Sequence, residues 1–218
     1  MSREGLTEIV CVIDESGSMD RIREDAIGGF NTFLRNQKDE EGEALFSLTL
    51  FDTDYERVYD GVDLEEVPEL DKESYQPGGR TALLDAVGRT VLDVRNRLRK
   101  TDPSETPEQV VFVILTDGKE NSSQEFIGEQ VPDVIAEQRR EANWEFVFLA
   151  ADANAFQVAR DYNIAPSNVD QFEGTGEDIN RTYNSASNAV TSIRRTGSIE
   201  SDWRETDPPT DEEDEEEE

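Results

Sequence analysis

Short apolar runs alternate with helix-patterned segments along most of the chain, and that alternation constrains the fold more than any other feature. Residues 7–13 (TEIVCVI), 44–51 (ALFSLTLF), 110–115 (VVFVIL) and 145–150 (EFVFLA) are brief, rich in β-branched residues and Phe, and end at polar positions. Runs of this kind are strands buried on both faces. Residues 55–59 and 169–172 read as weaker strands. Between them, Ile22, Ala26, Ile27, Phe30, Phe33 and Leu34 recur at helical spacing, as do Leu83, Leu84, Val87, Val91, Val94 and Leu98. Further helices are expected over 125–141, over a short segment ending near Tyr162, and over 177–195. Strands alternating with helices predict an α/β fold in three αβα layers around a mostly parallel sheet. Ligands of such sheets bind outside the carboxyl ends of the strands. The residues that follow Ile13, Phe51, Leu115, Ala150 and Phe172 are therefore the ones to examine.

Charge is the second constraint. The 218 residues carry 52 Asp+Glu against 21 Lys+Arg, a formal charge of −31, and 17 of the 21 cations are Arg. Eight carboxylates close the sequence, from Asp211 to Glu218, yet without them the charge is still −23. Such a surface repels itself at ordinary ionic strength, whereas at molar salt the Debye length falls to about 3 Å and the repulsion is screened. A halophilic, salt-in host is the expectation; an acidic protein tuned for a basic partner is the alternative. Phosphate binding needs clustered Lys and Arg, so neither nucleic acid nor an anionic membrane is expected as a partner. The start of the sequence is charged and no run approaches a membrane span, so a cytoplasmic protein is expected.

There is no histidine and only one cysteine. Ser–His–Asp and Cys–His catalysis are thereby excluded, and a structural zinc site has almost no ligands to draw on. Any metal must be held by oxygen, which points to Mg²⁺, Mn²⁺ or Ca²⁺. Cys11 lies in an apolar run and reads as a small buried hydrophobe.

Three loops at the expected strand ends, or facing them, share one chemistry: Asp14-Glu15-Ser16-Gly17-Ser18, Gly78-Gly79-Arg80-Thr81 and Thr116-Asp117-Gly118. Among them, the two carboxylates of Asp14 and Asp117 and the three hydroxyls of Ser16, Ser18 and Thr81 are enough to neutralise a divalent cation while leaving it electrophilic. Asp14, Ser16 and Ser18 form a DxSxS motif, Thr81 stands in GGRTAL and Asp117 in LTDG. In these motifs, and in their order, the chain resembles the von Willebrand factor type A (VWA) domain with its metal-ion-dependent adhesion site, over residues 7–196. The resemblance implies a Rossmann-like six-stranded sheet in the order 3-2-1-4-5-6, with strand 3 antiparallel at one edge. It also implies Mg²⁺ (or Mn²⁺) bound through Asp14, Ser16, Ser18, Thr81 and Asp117, completed by an Asp or Glu of a protein partner. In such a site the hydroxyls are direct or water-bridged ligands, and the two aspartates hold the metal and its waters. Intracellular prokaryotic members often serve an AAA+ ATPase or another multi-protein machine.

Asp52, Asp54, Glu120, Asp152 and Glu173 are expected on the same rim, where they either concentrate cations or merely continue the acidic surface. Arg80, beside Thr81, is the cation expected at the site, for a partner's carboxylate or for a rim acid. The domain is expected to span 1–196 and an acidic, disordered tail 197–218, with Trp203 either packed loosely, idle or recruiting a partner. Two other functions fit parts of the pattern. One is a metal-independent scaffold or assembly subunit of the same fold. The other is a Mg²⁺-dependent phosphatase of the haloacid-dehalogenase type, which needs a second acid where Ser16 stands and so lacks its proton donor.

Overall fold

The computed structural model describes residues 2–126, 130–151, 155–173 and 175–204. Six strands are present: β1 (Arg3–Asp14), β2 (Ala44–Phe51), β3 (Tyr55–Asp63), β4 (Pro107–Thr116), β5 (Glu145–Ala150) and β6 (Val169–Gln171). They form one sheet in the order β3-β2-β1-β4-β5-β6. All pairings are parallel except β2 with β3, which are antiparallel and joined by a tight acidic turn at residues 52–54. Among the described residues the α-helices are α1 (Arg23–Asp39), α2 (Leu83–Leu98), α3 (Gln130–Ala142), α4 (Ala155–Asp161) and α5 (Gly176–Thr196). The fold is a VWA-like α/β sandwich with the expected strand order and the expected antiparallel edge.

The alternation of side chains along β1 divides the interior in two. Ile9, Cys11 and Ile13 face a core shared with α1 and α5, where Phe30 meets Tyr183 edge-on at 6.3 Å. Val10 and Val12 face a second core shared with α2, α3 and α4, containing Phe112, Phe146 and Phe148. Cys11 is buried and unpaired, as its apolar setting indicated. Both faces of the central strands are thus covered, which explains why they read as continuous apolar runs rather than alternating ones.

Two expectations are corrected. The third helix was expected from residue 125, but Glu125 and Phe126 are not helical, because that stretch is held by another partner. The amides of Gln124, Glu125 and Phe126 all donate to the carboxylate of Asp85 in α2, at 2.8–2.9 Å. The second correction concerns the chain after α5, expected to be disordered from residue 197. Residues 197–204 instead fold back as a strap, and Trp203 is buried at 2 % exposure. Its indole Nε1 donates to the Ser167 carbonyl at 2.9 Å, and Arg204 lies over its ring while donating to the carbonyls of Pro166, Ser167 and Val169. An aromatic with both an apolar face and a donor found its partners in the loop before β6. Residues 205–218 lie outside the described residues.

Candidate metal centre

Asp14 is the last residue of β1, a central strand flanked by β2 and β4, and its side chain is fully buried. One carboxylate oxygen accepts from the Ser16 amide at 2.7 Å and the other from the Thr116 hydroxyl at 2.5 Å. The Tyr75 hydroxyl donates to the Asp14 carbonyl at 2.6 Å. Beyond Asp14 the first loop runs alongside the second. Ser16 forms an isolated parallel bridge with Gly78, Gly78 donates to the Glu15 carbonyl at 2.8 Å, and Gly17 donates to the Gly79 carbonyl at 3.4 Å. Gly79 holds a left-handed φ of +59°, a conformation other residues adopt only with strain.

The side chains then meet across the loops. The hydroxyls of Ser16 and Ser18 are 3.2 Å apart, and Ser18 donates to Asp117 at 2.5 Å. Thr81 faces Gly118: a Cβ on that glycine would stand 2.6 Å from the Thr81 hydroxyl oxygen. Asp14, Ser16, Ser18, Thr81 and Asp117 are therefore brought to one place, at the carboxyl ends of β1 and β4.

A second set of contacts fixes the third loop to the start of α2. Asn121 accepts from the Thr81 amide at 3.2 Å and donates its own amide to the Thr81 carbonyl at 3.0 Å. Glu120 accepts from the Leu84 amide at 2.9 Å, and Ser123 accepts from that of Asp85 at 3.1 Å. These bonds satisfy first-turn amides of a helix whose own cap residue, Ala82, has no side chain able to do so. Asp85 returns the favour by holding residues 124–126, so loop and helix clamp each other.

The electrostatics suit a cation. Burial pushes the Asp14 carboxyl up to about 6 against the hydrogen bonds from Thr116 and Ser16, and the charge of Asp117 adds to the rise. The Asp117 side chain is shielded from solvent and has the Arg21 guanidinium 3.4 Å away. Each carboxylate oxygen has two lone-pair sites, so Asp14 keeps acceptor capacity beyond its two hydrogen bonds. No three of His, Cys, Asp and Glu cluster to hold a metal among the described residues. The donor set is two carboxylates and three hydroxyls, all hard oxygens, and it fits Mg²⁺ or Mn²⁺ rather than a softer ion.

The rim is less uniform than expected. Asp52 is half-buried; one oxygen accepts from the Asp54 amide at 2.7 Å, and the other abuts Gly79. Arg80 is exposed, with its backbone amide bound to the Thr53 hydroxyl at 2.8 Å. Glu120 is not a free rim acid, since its carboxylate is taken up by Leu84, Ser122 and Ser123. Asp152 lies outside the described residues. Sequence reasoning placed Thr116 in the third loop without giving it a role, and it missed Tyr75, Arg21 and Asn121. Thr116 was within reach of inference, because it directly precedes Asp117 at a strand end; the others carried no local signal.

Strand order and helix layers give the α/β fold of von Willebrand factor type A domains, and the comparisons bear on that fold. No protein-family model matches the chain, and no curated protein matches it in sequence. Solved structures do match. Proximal thread matrix protein 1 from the mussel byssus aligns with a TM-score of 0.60 and 14 % identity, over 84 % of this chain and 45 % of that one. The ArnB paralog VWA2 from Sulfolobus acidocaldarius aligns at 0.51 and 18 %, over 87 % and 46 %. Manganese-loaded TRAP protein from Plasmodium vivax aligns at 0.55 and 14 %, over 77 % and 68 %. The chain thus spans about half the length of the mussel and Sulfolobus proteins. At these identities the likeness is one of fold.

Proposed function

We propose that this chain is a divalent-metal-dependent protein-interaction module that captures an Asp or Glu carboxylate of a partner protein. One observation carries the reading: five oxygen-bearing side chains from three loops converge where an open α/β sheet binds ligands. When bound there, Mg²⁺ or Mn²⁺ supplies a Lewis-acidic position that an external carboxylate can fill. The chain's own part is to present Asp14 and Asp117 for charge neutralisation, to aim Ser16, Ser18 and Thr81, and to keep the loops in register. A manganese-loaded protein of the same fold agrees with that chemistry. The reading is one of binding, not catalysis, since Ser16 stands where a Mg²⁺-dependent phosphatase of comparable layout needs an acid.

Within this reading the protein works in a salt-rich cytoplasm, in line with its charge of −31. Among the described residues no helix is long and apolar enough to cross a membrane. A component of a multi-protein machine, such as an AAA+ ATPase, is a partner class that suits the fold.

Calorimetric titration of EDTA-treated protein with MgCl₂ and MnCl₂ in molar KCl tests the proposal. Saturable heat, abolished in Asp14→Ala and Asp117→Ala, is the expected result. Absence of both heat and any change in melting would leave a metal-independent scaffold of the same fold. A pull-down from a high-salt lysate, with and without EDTA, then identifies the partner by the bands the chelator removes.

A further inference from the structure

A cavity of about 440 Å³ lies behind the third loop, on the side of the sheet covered by α2, α3 and α4. Its walls are mainly apolar: Leu83 and Leu84 from α2, Phe148 and Ala150 from β5, and Pro132 and Val158 from α3 and α4. That volume falls within the usual range for small-molecule sites, and the position, outside the carboxyl ends of β4 and β5, is where open α/β sheets take ligands.

One polar group in it has no partner. Tyr162 lines the cavity with 5 % of its surface exposed, and its hydroxyl makes no hydrogen bond among the described residues. A buried hydroxyl is normally paired with protein, water or ligand. The ring is held in place by stacking on Phe148, with centroids 6.1 Å apart. The acids of the same wall are already engaged: Glu120 holds the amides of Leu84, Ser122 and Ser123, and Asp161 accepts from Gln157 at 2.8 Å. Lys119, which also lines the cavity, is engaged as well. Both carboxylates disfavour an anion beside Tyr162, and neither accepts its proton.

We propose that this cavity binds an uncharged, largely apolar small molecule, about one or two aromatic rings in size, whose carbonyl-type oxygen accepts a hydrogen bond from the Tyr162 hydroxyl. The site is separate from the metal centre, but the two share a wall. Thr116, which lines the cavity, also donates to Asp14, and Gly118, which lines it too, faces Thr81. It requires no metal for its own binding.

The test uses the full chain in molar KCl with EDTA, and two probes of like shape, 2-acetylnaphthalene and 2-ethylnaphthalene. Saturation-transfer NMR and titration give their affinities. The expected result is binding of the ketone, tighter than that of the hydrocarbon by about 2- to 10-fold, the factor for one hydrogen bond. Tyr162→Phe should erase that preference while leaving hydrocarbon binding unchanged. Leu84→Trp, at a half-buried residue of the wall, should abolish binding of both in a protein that melts as the parent does. No saturable binding of either probe overturns the proposal. Equal affinities, or a preference that survives Tyr162→Phe, also overturn it, because the hydroxyl would then be satisfied by water alone. Neither result bears on the metal reading, since metal is absent throughout.

Discussion

The Thr116 hydroxyl donates to the Asp14 carboxylate at 2.5 Å, linking the ends of adjacent strands β4 and β1 across 102 residues of sequence. It turns one carboxylate oxygen toward the sheet and leaves the rest of its acceptor capacity to the loops. Replacing Thr116 with Val keeps shape and removes the donor. Mg²⁺ affinity should fall by about 10-fold, with Thr116→Ser restoring most of it; the loss corresponds to one hydrogen bond to a charged group, roughly 1.5 kcal/mol. Calorimetry on the two variants measures it.

Asp14 also makes the metal-free protein sensitive to pH. Its carboxyl is raised by burial from 3.8 to about 6, so between those values the folded chain holds a proton that the unfolded chain releases. Its contribution to stability is fully present below pH 3.8 and is lost as pH rises through about 6. In EDTA, Asp14→Asn should therefore be more stable than the parent at pH 7.5, by up to about 3 kcal/mol, with the gap closing toward pH 4. Denaturant melts of both proteins across that range give the comparison. Metal affinity of the parent should drop in the same window as protons compete for the carboxylate.

Gly118 leaves room for Thr81. A methyl group there would stand 2.6 Å from the threonine hydroxyl oxygen and push it away from the other ligands. Gly118→Ala should weaken Mn²⁺ binding by 10-fold or more while changing the melting temperature only slightly. Water-proton relaxation with Mn²⁺ reads the first quantity and thermal denaturation the second.

The strap gives a prediction about stability alone. Trp203→Ala removes a buried indole and its bond to Ser167, at a cost of about 3–5 kcal/mol. Trp203→Phe retains most of the apolar contact and should cost about 1 kcal/mol. Urea titrations at fixed KCl distinguish the two, and metal affinity should be unchanged in each.

Salt should act on the whole surface. With −31 spread over the chain, the melting temperature should rise between 0.1 M and 3 M KCl. A fall over that interval would sink the halophilic reading.

Much of this was legible in the sequence because the informative residues are apolar and periodic. The bounds of β2, β5 and α2 coincide with those read from spacing alone. β1 and β3 run longer than expected, because residues 3–6 and 60–63 mix charged residues and glycines with a single apolar one each, and pairs such as Arg3 with Pro107 and Asp63 with Leu45 extend the strands where no buried pattern marks them. The five ligand positions stood out because hydroxyls and carboxylates follow strand ends in a recognisable order. The clamp between Asp85, Glu120, Asn121 and Ser123 did not. Asp85 and Glu120 are two of 52 acids and carry no mark of being structural; only the approach of α2 to a distant loop gives them partners. Trp203 escaped for a similar reason, since its acidic surroundings outweighed a single aromatic.

The strap decides how far the chain can be shortened. Arg204 grips the carbonyls of Pro166, Ser167 and Val169, and Trp203 beneath it is part of the core that α1 and α5 share with the sheet. A version of the protein cut at the end of α5 would lose a piece of its own interior. A trimmed domain that keeps its fold has to retain Trp203 and Arg204.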